Sequence, residues 1–227
     1  MSIEYAIDVA DLRFSYRPPK AVLKIAALTV ARGEKVFLHG PSGTGKTTLL
    51  GILTGVLAAD SGRVTILGRD LTLLSSAARD ALRGGHIGYV FQMFNLIPYL
   101  TVLENIQLPC RISAERLRRL NGHPLDHAAR ELAARLGIAA IVDENVVDLS
   151  VGQQQRVAAA RALLGAPELI IADEPTSALD EDHRSSFLDV LFDQCRAIGS
   201  TLIFVSHDRR MMPLFDRAVS LREINRV

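Results

Sequence analysis

The sequence predicts an α/β protein whose mostly parallel sheet is interrupted by a helical insert, and three stretches carry that prediction. Residues 35–39 form a short apolar run followed at once by a glycine-rich loop and the start of a helix, the strand–loop–helix order of a phosphate-binding unit. Residues 169–172 are apolar enough for a central parallel strand. From Met93 to about Val147 the pattern changes to helix and loop. At 227 residues the chain can bury a sizeable core.

The first part of the chain is predicted to add a second, antiparallel sheet. Residues 7–14 alternate between apolar and polar, as a half-buried strand does, and 22–30 and 64–67 have strand character between turn residues. A short helix at 76–83, stopped by Gly84 and Gly85, precedes a strand at 86–91. We therefore expect a small antiparallel sheet beside the glycine-rich loop.

The later elements are predicted from caps and helical spacing. Thr101 and Glu104 have the spacing of a capping box, and a helix at 125–136 ends at Gly137. A helix at 181–198 precedes strands at 201–205 and 217–221. Its apolar residues on one face are Phe187, Leu188, Leu191 and Cys195. We expect one domain over 1–227, with a core at 1–92 and 157–227 and a helical subdomain at 93–156.

Composition and charge exclude several classes of protein. The 48% hydrophobic and 22% charged residues are typical of a globular domain, and the net charge of +1 gives no electrostatic reason to bind nucleic acid. Cys110 and Cys195 lack metal-ligand spacing, so we expect both to be buried and reduced. The most apolar window, 157–172, is interrupted by Arg161, Pro167 and Glu168. We therefore expect no membrane-spanning segment.

The glycine-rich loop fits the pattern G-x-x-x-x-G-K-[ST], which binds the phosphates of a nucleoside triphosphate. Its residues are Gly40, Pro41, Ser42, Gly43, Thr44, Gly45, Lys46, Thr47 and Thr48. Backbone N–H groups of such a loop and of the following helix face the phosphates. Lys46 is expected to reach the β- and γ-phosphates, and the Thr47 hydroxyl is expected to ligate Mg²⁺.

Two further stretches carry chemistry. Asp173 and Glu174 end an apolar strand, where the first carboxylate would hold Mg²⁺ and the second would polarise an attacking water. Ser150 is predicted to cap a helix, with Gln153 completing a capping box. A helix start with a serine hydroxyl and the N–H of Gly152 is also a second anion site.

Together these motifs resemble the ATP-binding subunit of an ABC transporter over essentially the whole chain. Residues 40–48 match the Walker A motif, 149–153 the signature L-S-G-G-Q, and 169–174 Walker B. Gln92 matches the Q-loop glutamine, residues 177–180 the D-loop with Asp180, and His207 the switch histidine. Tyr16 lies where the family places an aromatic residue that stacks on adenine. The resemblance implies a P-loop NTPase fold, that of the ABC ATPases, with a RecA-like core, an antiparallel β subdomain and an inserted helical subdomain.

The resemblance also implies a mechanism. Two copies would pair head to tail with two ATP molecules between them, each bound by the Walker motifs of one subunit and the signature of the other. Ser150, Gly152 and Gln153 would then bind nucleotide across the dimer, and Asp180 would contribute from the D-loop. Glu174 would act as the base, His207 would stabilise the γ-phosphate, and Thr47, Gln92 and Asp173 would hold Mg²⁺.

One residue departs from the family pattern. Val151 replaces the first glycine of the signature, which would be costly if that position required a positive φ. In the first turn of a helix, valine is acceptable, so we expect an active ATPase.

The segment from Gly88 to Asn105 resembles the bacterial MacB/LolD/FtsE-like and DevA-like group, whose members work with membrane permeases in export or lipoprotein extraction. This implies a transmembrane permease partner and a peripheral location on the cytoplasmic face of the inner membrane. Residues 175–180, Pro-Thr-Ser-Ala-Leu-Asp, depart from the more usual Gly-Asn-Leu-Asp, which leaves the subgroup open. An FtsE-like regulatory ATPase that moves no substrate is the alternative. An ABC-type ATPase acting on DNA or ribosomes is disfavoured, since the chain lacks a coiled-coil insert and a second copy.

Overall fold

The structure, a computed structural model, describes residues 4–177 and 180–227, without the side chain of residue 182. Ala178 and Leu179 of the predicted D-loop lie outside this description. The strands are β1 Tyr5–Phe14, β2 Leu23–Ala31, β3 Lys35–His39, β4 Ser61–Ile66, β5 Arg69–Asp70, β6 Ile87–Val90, β7 Leu169–Asp173, β8 Thr201–Val205 and β9 Arg217–Ser220. The helices are α1 Lys46–Leu53, α2 Ser76–His86, α3 Val102–Ile112, α4 Ala114–Arg118, α5 Leu125–Arg135, α6 Val151–Leu163, α7 Glu181–Ile198 and α8 Leu221–Ile224.

The chain divides into two compact units. The first, here the loop unit, comprises the chain up to Arg83 together with Thr201–Val227, and the second, the helical unit, comprises Gly84–Ser200. The boundaries of the predicted core and helical subdomain, at 92, 93, 156 and 157, stay a prediction.

The loop unit contains an antiparallel and a parallel group of strands. The antiparallel sheet has the order β2-β1-β4-β5, with Val9 of β1 opposite Leu28 of β2 and Val64 of β4. β3 pairs in parallel with β8 on one side and β9 on the other. Phe37 packs against Phe204 and Phe215, at ring-centre distances of 6.3 and 5.2 Å. Both predicted sheet types, parallel and antiparallel, are therefore confirmed.

The helical unit packs helices around the parallel pair β6 and β7. Gly88 of β6 lies opposite Ile170 of β7, and residues 157–160 of α6 are completely buried. Arg116 of α4 is also buried and donates to the carbonyl oxygens of Ala162 and Leu164, at 3.0 and 2.9 Å. These are unpaired carbonyls at the end of α6, so a guanidinium stabilises that helix end.

Both predicted capping boxes are confirmed, at Thr101 with Glu104 and at Ser150 with Gln153. The helix predicted at 181–198 is observed with those bounds, and its four apolar residues are buried. α5 is followed by Gly137 at a φ of 71°, the left-handed conformation expected of a C-terminal cap.

The predicted end of the helix at Gly84 and Gly85 is wrong, because α2 continues to His86. Two arginines satisfy the carbonyl groups of its last turn. Arg116 Nε donates to the Gly84 oxygen at 3.0 Å, and Arg119 Nη1 donates to the Gly85 oxygen at 2.8 Å. A glycine ends a helix by adopting positive φ, and side-chain donors make that turn unnecessary here.

Cys110 and Cys195 are buried and form no disulfide, as predicted. Burial raises the pKa of the Cys110 thiol to about 11. In the part of the chain that the structure describes, no helix is both long and apolar enough to cross a membrane.

Candidate functional site

The phosphate loop, residues 40–48, connects β3 to α1 through backbone conformations that favour glycine. Gly43 and Gly45 have φ angles of 80° and 96°, which are costly for residues with a Cβ atom. A Cβ on Gly45 would also lie 2.8 Å from Leu23 Cδ2. Thr44 Oγ1 donates to the Pro41 oxygen at 2.8 Å, and Lys46 Nζ donates to the Gly40 oxygen at 2.8 Å. Side chains from the end of the loop therefore bond to carbonyl oxygens at its start.

The start of α1 suits an anion. Its N-cap is Gly45, which has no side chain to accept hydrogen bonds from the first helical N–H groups. These N–H groups and the positive end of the helix dipole favour a bound phosphate. Thr47 is exposed in the first turn, whereas Thr48 is buried.

Tyr16, predicted to stack on adenine, lies beside the phosphate loop. Its hydroxyl is 3.3 Å from Thr48 Oγ1, and its ring packs edge-on against Phe14 at 4.9 Å. The side chain is nevertheless 61% exposed. Contacts with two neighbours orient the ring, while much of its surface faces solvent.

His207 follows β8 at the same sheet edge as the phosphate loop. Leu38 pairs with Val205 in parallel, and Ser206 donates its N–H to the Leu38 oxygen at 3.2 Å. The carboxyl ends of parallel strands meet at one edge, where ligands bind in open α/β sheets. His207 is exposed there, and Asp208 caps the following turn.

His39, at the end of β3, was missed by the sequence analysis. Its side chain is buried, 7% exposed, and its Nδ1 atom has no hydrogen-bond partner among the residues that the structure describes. Burial lowers its pKa, and the positive charge of Arg209 lowers it further against the opposing effect of Glu223. A lone histidine in an apolar run gives no sequence signal of such an environment.

In the helical unit, Gln92 and the acidic pair lie at one sheet edge. Val90 of β6 pairs with Ala172 of β7, so Gln92 and Asp173 both follow the paired ends of these strands. Tyr89 donates its hydroxyl to Asp173 Oδ2 at 3.4 Å. Burial, and then the Asp173 charge, raise the Tyr89 pKa, which keeps that proton in place. Tyr89 is a second residue that the motif analysis missed.

Glu174 has a strained backbone. Its φ is 45°, in the left-handed region that is uncommon for residues other than glycine. Ser177 donates its N–H to the Glu174 oxygen at 3.2 Å, which closes a turn directly after the strand. Such conformations cost about 1–3 kcal/mol and concentrate at functional sites.

The signature turn, residues 149–153, lies at the start of α6, with Ser150 and Val151 exposed, Gly152 and Gln153 partly exposed and Leu149 buried. Ser150 Oγ accepts the Gln153 N–H at 3.3 Å, and Gln153 Oε1 accepts the Ser150 N–H at 2.8 Å. The Ser150 hydroxyl keeps its own proton to donate. Val151 is the first helical residue and is 46% exposed, a position where its side chain needs no special backbone conformation.

Arg161 connects the signature helix to the segment after Gln92. It is 8% exposed, and its guanidinium donates to the Asn95 oxygen at 2.7 Å and to the Phe94 oxygen at 2.5 Å. Phe94 and Asn95 both have positive φ, at 58° and 49°. One buried side chain of α6 therefore stabilises an unfavourable turn two residues beyond Gln92. Nothing in the motif pattern indicated this contact.

Asp180 is the N-cap of α7. Its Oδ1 accepts the N–H of His183 at 2.9 Å and also lies 2.7 Å from His183 Nδ1. The backbone hydrogen bond, followed by that side-chain contact, lowers the pKa of Asp180. The Asp180 carboxylate is thus held in its ionised form by hydrogen bonds to His183 in the first turn of α7.

The residues expected to hold Mg²⁺ fit that ion in donor chemistry. Thr47, Gln92 and Asp173 offer a hydroxyl, an amide oxygen and a carboxylate, and Mg²⁺ prefers oxygen ligands. Within the described residues, no group of three or more His, Cys, Asp or Glu side chains could hold a metal ion. A few protein oxygens beside substrate phosphates are the usual arrangement for Mg²⁺.

Comparisons with known proteins identify the family. Residues 23–177 match the family model described as ABC transporter. The chain is 39% identical over 224 residues to the uncharacterized ABC transporter ATP-binding protein YbbA of Escherichia coli K12, covering 97% of this chain and 96% of YbbA. It is 38% identical to the lipoprotein-releasing system ATP-binding protein LolD of Jannaschia, with the same coverage. It is 38% identical to 31% of the macrolide export ATP-binding/permease protein MacB of Chromobacterium violaceum, over 89% of this chain.

A solved structure agrees with this assignment. The dimeric ATP-binding cassette MJ0796, in a post-hydrolysis state bound to ADP and Pi, superposes with a TM-score of 0.82 at 32% identity. The match covers 94% of this chain and 93% of that cassette. The relatives YbbA and LolD and the solved structure match nearly the full length of the chain, and the family model matches residues 23–177. The chain therefore belongs to the ABC transporter family and is one of its ATP-binding, ATP-hydrolysing subunits.

Proposed function

We propose that the chain powers a membrane permease by ATP-driven closure of a dimer of two copies. The observation that carries the proposal is the exposed signature turn, with Ser150 and Gln153 held in a capping box. An exposed helix start with a donor hydroxyl is suited to a phosphate brought by another subunit. The dimeric state of the MJ0796 cassette supports this arrangement.

The proposed roles follow the chemistry of each side chain. Tyr16 stacks on adenine, the phosphate loop with Lys46 binds the phosphates, and Glu174 takes the proton of the attacking water. The phosphate loop meant here is the whole of residues 40–48. When bound through Thr47, Gln92 and Asp173, Mg²⁺ neutralises phosphate charge. His207 stabilises the γ-phosphate. The residues contributed across the dimer are Ser150, Gly152, Gln153 and Asp180.

The permease would be of the kind that serves export or lipoprotein extraction. The names of two relatives, a macrolide export protein and a lipoprotein-releasing system protein, support this subtype. Residues 88–105 resemble the same group. The chain would then act at the cytoplasmic face of the inner membrane as a peripheral subunit.

The replacement Glu174→Gln tests the catalytic assignment. Loss of a general base lowers a rate by about 10²–10⁴-fold, so we expect steady-state ATP hydrolysis to fall by at least about 10²-fold with ATP binding retained. Matched replacement of exposed Glu131 by Gln on α5 should leave the rate unchanged. Hydrolysis by Glu174→Gln at the wild-type rate would contradict the assignment.

Identification of the partner tests the role in transport. Glu174→Gln protein with ATP should co-purify from membranes with a permease. That permease, reconstituted in proteoliposomes with the wild-type chain, should give substrate-stimulated ATP hydrolysis. A membrane partner without any transported substrate would instead support the FtsE-like regulatory role. A soluble or nucleic-acid partner would contradict both.

A further inference from the structure

We infer that Asn225 is a positioning residue for the phosphate loop, through which residues 221–227 set the affinity of the loop for nucleotide. The inference rests on the proposed function insofar as the loop binds ATP. It concerns a part of the chain that lies outside every recognised motif, 181 residues beyond Thr44 of the loop. The distance along the sequence makes the contact invisible to motif analysis.

The side chain of Asn225 connects three segments by hydrogen bonds. Its Oδ1 accepts the Lys24 N–H at 2.7 Å, and its Nδ2 donates to the Val22 oxygen at 3.0 Å and to the Thr44 oxygen at 3.2 Å. An asparagine amide offers two donor hydrogens and an acceptor oxygen, and all three are used. Thr44 belongs to the phosphate loop, whereas Val22 and Lys24 mark the start of β2.

The backbone on both sides of Asn225 is also fixed. Asn225 donates its N–H to the Leu221 oxygen at 2.9 Å, and it forms an isolated bridge with Ile25. Arg226 donates its N–H to the Lys24 oxygen at 2.9 Å. The amide is therefore presented to the loop by a segment that is itself anchored to β2.

Buried leucines lie next to the first and last glycines of the loop, in ordinary contact at Gly40 and with no room for a side chain at Gly45. A Cβ on Gly40 would lie 3.5 Å from Leu221 Cβ, and a Cβ on Gly45 would lie 2.8 Å from Leu23 Cδ2. Leu221 and Leu23 are completely buried. Asn225 holds the intervening Thr44, so α8 and β2 together fix the loop at three points.

The bond to Thr44 sets the direction of one peptide group. In a trans peptide the C=O and the following N–H point in opposite directions. Because the Thr44 oxygen faces Asn225, the Gly45 N–H points away from it. Phosphate loops bind through such N–H groups, so rotation of this peptide would remove one donor from the nucleotide.

Asn225 also lines an open cleft next to the loop. The cleft has a volume of about 610 Å³. Its lining residues are Lys20, Ala21, Val22, Gly43, Thr44, Arg222, Asn225 and Val227. Lys20 and Arg222 make the surroundings of Asn225 positive. This charge would favour a bound phosphate and disfavour a cation in the cleft. A carboxylate at position 225 would neutralise part of this positive charge, and it would have no hydrogen to donate to the Val22 and Thr44 oxygens.

The test uses the full chain and measures ATP hydrolysis against ATP concentration. One lost hydrogen bond corresponds to about a fivefold change in an equilibrium constant. We expect Asn225→Ala to raise KM for ATP about fivefold and Asn225→Asp to raise it more, with kcat changed by less than about twofold. Asn225→Ser, which keeps a donor hydroxyl, should fall between wild type and Asn225→Ala and serves if the alanine variant fails to fold.

Arg226→Ala is the matched control, because the exposed Arg226 side chain is removed while its N–H to Lys24 is kept. It should match wild type. The inference would be overturned if the Asn225 variants kept the wild-type KM for ATP. It would also be overturned if they lost thermal stability without any change in KM. A wild-type chain that neither binds nor hydrolyses ATP would contradict the proposed function instead, so the two failures are distinguishable.

Discussion

His39 shows how a single buried residue couples folding stability to pH. Burial and the Arg209 charge lower its pKa below the ordinary value of 6.5, so the folded protein disfavours the charged imidazole. The unfolded chain, where the pKa is unperturbed, binds a proton first as pH falls through 6.5. Folding stability is therefore retained above that pH and lost progressively below it.

The replacement His39→Leu tests this coupling. We expect the variant to lose less unfolding free energy than wild type between pH 7 and pH 5, as measured by urea denaturation at each pH. His127→Asn, which removes an exposed imidazole from α5, should show the wild-type dependence. An equal loss in wild type and His39→Leu would show that His39 does not titrate with folding.

Residues within short motifs were predictable, and residues acting through distant neighbours were not. The phosphate loop, Ser150 and Glu174 were predicted because their chemistry requires fixed spacing along the chain. Tyr89 gains its role from Asp173 on the neighbouring strand, and Arg161 from two carbonyl groups 66 and 67 residues away. Contacts of that kind depend on the folded backbone, and a single sequence carries no record of them.

At the scale of elements, close approach of β6 to the end of α6 depends on Gly88. A Cβ at this position would overlap the Ala162 oxygen and lie 2.6 Å from Ile170 Cδ1. Backbone atoms cannot move aside as a flexible side chain can. We expect Gly88→Ala to lower the free energy of unfolding by about 1–3 kcal/mol, measured by chemical denaturation.

Gly84→Ala is the matched control for that replacement. A Cβ on Gly84 would meet nothing within 4 Å, and the residue lies in α2. Alanine in a helix is more favourable than glycine by about 0.5–1 kcal/mol, so stability should rise. A similar loss in both variants would show that the close contact at Gly88 is not the cause.

Most elements were predicted to within a few residues from periodicity and caps, because those signals are local. The two capping boxes and α7 are examples. The end of α2 was not, since its last carbonyl groups bond to Arg116 and Arg119 of another segment. A glycine pair indicates a helix end only when no side chain from another segment bonds to the last carbonyl groups of the helix.

At the scale of the whole molecule, the proposed work of the chain is to close a dimer around ATP. Each unit presents part of what nucleotide binding needs, with the phosphate loop, Tyr16 and His207 in the loop unit. Gln92, Glu174 and the exposed signature turn lie in the helical unit. The relatives establish ATP binding and hydrolysis for the family, and the head-to-tail pairing is our proposal for this chain.

The most direct test of that pairing is the molar mass of Glu174→Gln protein in solution, measured by light scattering with Mg²⁺ and either ATP or ADP. We expect a dimer with ATP and a monomer with ADP, because only the γ-phosphate would reach Ser150 of the second copy. Adding Ser150→Glu, which places a negative charge at that phosphate, should restore the monomer with ATP. A monomer at saturating ATP without the Ser150 change, or a dimer that persists with it, would contradict the shared site.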